Sequence, residues 1–283
     1  MAIGDFHTHS IHSDGRLTTD ELAEMAARNG VKVMALTDHD STEGVKDMAT
    51  TLSGYGVRLV PGVELSTDIP GSEIHVLGLF MNVDDPHFQS ELLRFREGRI
   101  GRGMRMIEKL QALGMDVSWE RVQEIAGDAS VGRPHVAQHL VELGYVTSIP
   151  DAFDRFIGRN GPAYAERDKL TPAEAVELID SAGGIAAVAH PQYTPNVEEI
   201  LADLKNHGLT ALEVYYKDLS PDKVANLLSI ARNLGLLPTG GSDFHGLGNP
   251  GEREPGDIPL PNSAVEALLA AGDRCAQPTV QPQ

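Results

Sequence analysis

The chain has 283 residues, 41% of them hydrophobic, enough to bury one large core or a core with a smaller attached unit. Its 41 acidic residues outnumber the 23 basic ones, and the formal charge of −18 opposes a grip on long duplex nucleic acid through general attraction to phosphates. A single cysteine, Cys275, excludes a disulfide framework and a thiolate metal site, and no stretch holds the ~18 uninterrupted apolar residues of a membrane span.

A polar His-Thr-His stands a few residues after Met1 and leaves no room for a secretory leader, so the expected compartment is the cytoplasm. Residues 3–6 predict a first strand. Thr18 with Glu21 predicts a capped helix that stops at Gly30, and residues 31–37 and 57–63 predict the second and third strands. Only residues 66–73 separate the third strand from a fourth at 74–80. No crossover helix fits in that interval, so these two should pair antiparallel, which puts the start of the fourth beside the finish of the third.

From about residue 85 to 165 the strand signal gives way to charged helical text at 88–113, 119–125 and 134–143, closed by a turn-rich return at 159–162. Thr171, Pro172 and Glu174 open another helix, and strands follow at 185–189, 209–215 and 236–239, with Ser220 and Pro221 starting a helix between the last two. The last ten or so residues, rich in Pro and Gln, carry no predicted element. Strands alternating with helices imply an α/β fold with a mostly parallel sheet closed as a barrel. The expected division is a barrel in two parts, 1–85 and 166–283, around a helical insertion at 86–165.

Side chains able to bind metal gather where these strands end. They are His7 and His9, His39, Glu64, His190, Asp243 and His245, with Asp14 soon after the first strand and His75 at the start of the antiparallel fourth. Strand ends of an α/β barrel converge on one mouth, so distant residues become neighbours there. In His7-Thr8-His9 the alternate residues of a strand face one way, and both imidazoles can address one ion. A lone histidine at a strand end is more often a hydrogen-bonded structural residue, but nine candidates at one mouth are not explained in that way. Six imidazoles and three carboxylates exceed what one cation takes. The mixed nitrogen and oxygen set suits two or three divalent ions, manganese first and zinc or iron as alternatives, better than oxygen-preferring magnesium. Without thiolates, such a site should keep open, water-bearing positions and be catalytic.

Asp5-Phe6-His7-Thr8-His9-Ser10, Ser13-Asp14-Gly15 and Leu36-Thr37-Asp38-His39-Asp40 resemble the motifs of the PHP (polymerase and histidinol phosphatase) family. The resemblance continues through Gly62-Val63-Glu64-Leu65-Ser66, Ile74-His75-Val76-Leu77-Gly78, Ala189-His190-Pro191 and Gly241-Ser242-Asp243-Phe244-His245. It implies a distorted (β/α)7, TIM-like barrel with a small helical insertion domain, in line with the seven strands counted. It also implies a trinuclear metal site. His7, His9, Glu64 and Asp243 would hold one ion, Glu64, His75 and His190 a second, and Asp14, His39 and His245 a third. Among these, Glu64, His190 and Asp243 take the catalytic part.

The insertion, Ser130-Val131-Gly132-Arg133-Pro134-His135 and Lys169-Leu170-Thr171-Pro172 are similar to the family's nucleotide phosphatases and 5′ to 3′ exonucleases. That implies a substrate clamp in which Arg133 and Lys169 grip a second phosphate and His135 touches the substrate. His135 and His139, four apart on a helix, lack a third ligand and read as structural rather than as a zinc pair. Arg96, Arg99, Arg102 and Arg105 make a basic stripe that supplies local positive field if it faces the barrel mouth. The implied reaction is in-line attack on phosphorus by a hydroxide bridging two ions, with the third ion and the clamp neutralising the phosphoryl oxygens. Expected substrates are a 3′,5′-bisphosphonucleotide or a 5′-phosphorylated short oligonucleotide, with no membrane partner. Two other classes share the ligand types: an amidohydrolase-type C–N or C–O hydrolase, whose usual His, Lys and Asp pattern is not found, and an inert metal-binding module, against which the full ligand set argues.

Overall fold

Strands form where apolar and β-branched residues run together, and β1 (Gly4–Asp5), β2 (Val33–Leu36) and β5 (Ile185–Val188) are buried at every position. The computed structural model describes residues 4–69, 72–127, 131–166, 170–248 and 251–275. With β3 (Arg58–Ile69), β4 (Ser72–Leu79), β6 (Ala211–Tyr215) and β7 (Leu237–Gly240), the described strands make one seven-stranded sheet in sequence order. Neighbours are parallel except that β4 runs antiparallel to both β3 and β5. Phe6 N donates to Gly240 O (3.0 Å) and Asp243 N to His7 O (2.8 Å), so the chain after β1 meets the end of β7 and closes the sheet into a barrel. This is the expected distorted, TIM-like barrel, and β4 is the distortion.

Helices α1 (Thr19–Arg28) and α2 (Val45–Tyr55) follow β1 and β2. Between β4 and β5 lie α3 (Pro86–Ala112), α4 (Trp119–Ala126), α5 (Arg133–Glu142) and α6 (Ile149–Ala152), the last continuing into a π turn at Phe153–Ile157. Then come α7 (Pro172–Ser181), α8 (Val197–Asn206), α9 (Pro221–Leu234) and α10 (Asn262–Cys275). The two capping boxes form as read: Thr18 N donates to Glu21 Oε2 (2.9 Å) while Glu21 N donates back to Thr18 Oγ1 (3.2 Å), and Thr171 and Glu174 repeat the exchange. Among the described residues no helix is long and apolar enough to cross a membrane.

Alternation along the strands sorts side chains into two cores. Val33, Ala35, Val60, Leu77, Leu79, Ile185, Ala187 and Ala211 point into the barrel, where Val265, Leu268 and Ala271 of α10 pack against them. Val63, Leu65, Ile74, Val76, Ala186, Val188, Leu212 and Val214 face outward under α7, α8 and α9. Helices α3 to α6 enclose a separate cluster that includes Met106, Leu110, Val122, Val136, Leu140 and Ile157.

In two places the structure goes beyond the sequence reading. β3, expected to end at residue 63, continues to Ile69, because residues read as a connector join the pairing, Ser66 with His75 of the expected fourth strand and Asp68 with Glu73 within the connector. Their polar character reflects a hairpin that outruns the apolar barrel, and Arg159 of the returning segment fastens it through Asp68 Oδ1 (2.8 Å) and Ser72 O (3.0 Å). α10, which had no clear start signal, is fixed by the barrel residues that it covers.

Candidate metal centre

The inward parity of each strand continues into its last polar residue. Glu64 follows Val60 and Gly62 on β3, His75 precedes Leu77 and Leu79 on β4, and Glu213 follows Ala211 on β6, so all three are aimed into the mouth. Antiparallel pairing puts His75 at the same end as Glu64, with His75 Nδ1 2.8 Å from Glu64 Oε1.

Glu64 is 1% exposed and stands at the centre. Its Oε2 lies 3.1 Å from His7 Nε2, 3.1 Å from His9 Nε2 and 3.3 Å from His39 Nδ1. Its Oε1 lies 2.8 Å from His75 Nδ1 and 3.1 Å from His190 Nε2. The carboxylate thus divides five imidazoles between its two oxygens. Asp243 Oδ1 is 3.3 Å from both His7 Nε2 and His9 Nε2, and Asp14 Oδ1 is 3.3 Å from His245 Nε2. Among the described residues three overlapping groups each bring one donor atom per residue within 4.8 Å of the others: His7, His9, Glu64 and Asp243; His9, Asp14, His39 and His245; and His39, Glu64 and His75. Eight of the nine residues expected from the sequence fall in these groups, and His190, which is in none of them, reaches the same mouth through Glu64 Oε1 at 3.1 Å. His9 and His39 each sit between two groups, where the resemblance gave each to a single ion.

Two of these residues have left-handed backbones, His190 at φ +32° and Asp243 at φ +49°. Such conformations cost about 1–3 kcal/mol and persist where surrounding bonds over-determine them. Asp243 N is held by His7 O, and His190 N donates to Glu213 Oε2 at 2.5 Å.

Charges within the cluster are strongly coupled. Burial works against ionisation of Asp14, Glu64 and Asp243, yet the surrounding histidines hold all three well below the usual carboxylate range. Burial also disfavours a charged His9, but the neighbouring carboxylates of Asp243 and Glu64 push it up to about 10, whereas burial dominates at His39 and lowers it to about 3. His9 Nε2, His39 Nδ1 and Asp14 Oδ1 are buried without a hydrogen-bond partner although ionic neighbours surround them. Orphaned donor atoms converging on shared carboxylates fit divalent cations, which would replace the protons that now balance the charge.

Beside His39 and His75 opens a cavity of about 90 Å³ whose walls include Ser66, Arg99, Arg102 and Arg133. Arg99 Nε donates to Asp40 Oδ2 (2.6 Å) and Arg99 Nη2 to Ser66 Oγ (2.8 Å), so part of the basic stripe on α3 does face the mouth. Arg133 pairs with Glu73 and lies 5.2 Å over the Phe153 ring. His135 accepts from Gly132 N (2.9 Å) and lines a second cavity of about 390 Å³, on the far side of Asp14, with Ile11, Arg16, Ile125, Gln138 and Leu247. Lys169 lies outside the described residues. His139 accepts from Ser118 N (3.3 Å) and is buried within the insertion, the structural placement expected of it.

Sequence comparison matches the PHP domain over residues 5–142. The 5′-3′ exoribonuclease Rnm of Escherichia coli strain K12 is 32% identical over 249 residues, covering 86% of this chain and 85% of its own. The chain belongs to the PHP domain family. A second relative, the 3′,5′-nucleoside bisphosphate phosphatase of Chromobacterium violaceum, is 32% identical over 256 residues, covering 89% and 90% of the two chains. The crystal structure of a Bifidobacterium adolescentis protein, provisionally described as a metal-dependent phosphoesterase, superposes with a TM-score of 0.86 at 29% identity, covering 95% of this chain and 96% of that one.

Within this PHP barrel, several supporting residues escaped the sequence reading. Glu213 is fully buried and accepts from His7 Nδ1 at 2.9 Å; its signal was a glutamate sharing the inward face of an apolar strand with Ala211. Tyr216 Oη donates to Asp243 Oδ2 at 2.6 Å, and Lys217 Nζ lies 3.0 Å from the same oxygen. Asp38 receives Ser10 N (2.7 Å) and Ser13 Oγ (2.6 Å), shaping the turn that delivers Asp14. Asp5, pushed up to about 6 by burial, accepts from Ser242 N (3.0 Å) and Gly256 N (3.1 Å) and ties the first and last strands together beneath the site.

Proposed function

We propose that this PHP protein is a metal-dependent phosphoesterase that hydrolyses phosphate esters of nucleotides, either 3′,5′-bisphosphonucleotides or short 5′-phosphorylated oligonucleotides. The observation that carries the reading is Glu64, whose two oxygens face separate histidine sets next to an arginine-lined cavity. Glu64 would bridge two ions, one held with His7, His9 and Asp243 and the other with His75 and His190, while Asp14, His39 and His245 would hold a third. The mixed donor set supports manganese, with zinc or iron as alternatives. Bound divalent ions supply Lewis acidity that lowers the pKa of water to about 7 and makes a nucleophile available at neutral pH.

The protein's own groups position and neutralise. Arg133, pre-set by Glu73 and Phe153, is the clamp for the substrate's second phosphate, with Arg99 and Arg102 adding positive field and Lys169 as its sequence partner. The helical insertion, residues 86–165, is the unit that brings this clamp to the barrel. His135 borders the larger cavity, which is of a size to receive a nucleoside. Both named relatives act on phosphorylated nucleotides or RNA, and the single cysteine favours a cytoplasmic setting.

Purified protein should contain divalent metal and release phosphate from 3′,5′-bisphosphonucleotides, or mononucleotides from 5′-phosphorylated oligonucleotides. Arg133→Ala should raise KM by about 10-fold to 100-fold, the loss of one charge-assisted contact. Turnover of amides or lactones that is indifferent to Arg133→Ala, with no phosphate release, would overturn the reading.

A further inference from the structure

Both candidate substrates lose the same bond. In each, an oxygen from water joins phosphorus, the P–O3′ bond of the first nucleoside breaks, and one proton of the water passes to the departing 3′ oxygen. They differ in what else the phosphorus carries. In a bisphosphonucleotide its other oxygens are free, whereas in an oligonucleotide one of them is the O5′ of a second nucleoside. A protein that takes oligonucleotides therefore needs a holder for that second nucleoside, away from the arginine clamp.

Of the cavities that border the ligand cluster, two share no lining residue and lie on different sides of it. His39 and His75 face the cationic one described above, while Asp243 and His245 face another of about 180 Å³ that includes Lys217, Leu247 and Tyr193. Tyr193 is 68% exposed, although it ends a short turn, Pro191–Tyr193, that begins directly after His190. Its backbone is fixed by Tyr193 N donating to His190 O (3.2 Å) and Thr194 N to Pro191 O (3.0 Å). The ring is braced 6.0 Å from His190 and 6.4 Å from Tyr216, nearly perpendicular to the latter at 86°. An aromatic ring on a fixed backbone that stays exposed at the rim of a charged site is a surface on which any base can stack.

We propose that Tyr193 is the stacking platform for the second nucleobase, and that this chain's preferred substrates are therefore 5′-phosphorylated oligonucleotides rather than bisphosphonucleotides. The inference rests on the phosphoesterase reading of the same site. Lys217 is already paired with Asp243 (3.0 Å) and shares this cavity with Asp218 and Glu252, so the ring rather than a cationic surface carries the hold on the second nucleoside.

The experiment compares kcat/KM for a 5′-phosphorylated trinucleotide and for a 3′,5′-bisphosphonucleotide, using the metal-loaded protein and its Tyr193→Ala and Tyr193→Phe variants. Tyr193→Ala should lower the ratio of the two values about 10-fold through KM of the trinucleotide, and Tyr193→Phe should keep it. A trinucleotide abasic at its second position should reproduce that loss with the unaltered protein and show no additional loss with Tyr193→Ala. An unchanged ratio, additive losses, or a protein that hydrolyses only the bisphosphonucleotide overturns the platform and leaves the phosphoesterase reading standing. Failure to hydrolyse either substrate overturns both.

Discussion

His7 illustrates how one side chain here depends on others: Nε2 faces Glu64 and Asp243 while Nδ1 is bound by Glu213, which fixes the ring's tautomer and direction. Glu213 also receives His190 N and so stabilises the left-handed backbone of a second metal-binding candidate. Glu213→Gln should weaken metal affinity or activity about 10-fold to 100-fold, as other partners of metal-bound histidines do. Unchanged affinity in a metal titration would remove Glu213 from the centre. His135 behaves differently, because burial lowers its pKa, and Asp14 offsets only part of that while Arg99 and Arg16 lower it further. The folded protein then keeps His135 neutral while the unfolded chain binds a proton below about 6.5. Its contribution to stability is complete above that pH and is lost as pH falls towards the folded value. Gln at this third helical position can still accept from the backbone N–H of Gly132. His135→Gln should accordingly flatten the fall in Tm between about pH 6.5 and 5, and a parallel fall in both proteins would show that His135 does not titrate there.

Among elements, the β3–β4 hairpin and α3 do most to build the mouth. Antiparallel pairing of β3 with β4 lets one strand deliver Glu64 at a point beside His75 on the next, which a crossover connection would place at the opposite end. Helix α3 then lays Arg99 across the loop after β2 through Asp40, and Arg105 Nη2 donates to Glu166 O (2.6 Å), so the insertion is fastened to both sides of the barrel opening. At the other end α10 fills the barrel with Val265, Leu268 and Ala271. Leu268→Ala should cost about 2–5 kcal/mol in urea unfolding, from lost burial and the cavity left behind. Since α10 packs far from the ligand-bearing ends, metal content at low temperature should be retained. Loss of metal in the folded variant would mean that the two ends of the barrel are coupled.

At the scale of the whole molecule, net charge and local charge have opposite signs. A chain at −18 gathers Arg99, Arg102 and Arg133 at one opening, a local field that draws in small anions while the remaining surface repels long polyanions. The mouth crowds three carboxylates among six histidines, so cations should stabilise the fold as well as the reaction. A divalent ion at 100 times its Kd adds about 2.7 kcal/mol to stability. Removing metal with a chelator should lower Tm by at least ~5 °C in a chain of this size, and returning manganese should restore it. A Tm indifferent to chelation would mean that these groups do not bind cations in the folded state.

The sequence alone determined the alternation of strand and helix, both capping boxes, the reversed fourth strand and the identities of the nine metal-binding candidates. Those features reside in local patterns: runs of apolar residues, Ser/Thr with Glu three residues on, and polar residues at strand ends. Tertiary structure decided which candidates stand close to one another, with His9 and His39 each between two groups, and it alone showed the parts played by Glu213, Tyr216 and Asp5. Their roles come from contacts across 206, 27 and 237 residues of chain, and no local pattern encodes a partner that only barrel closure brings near.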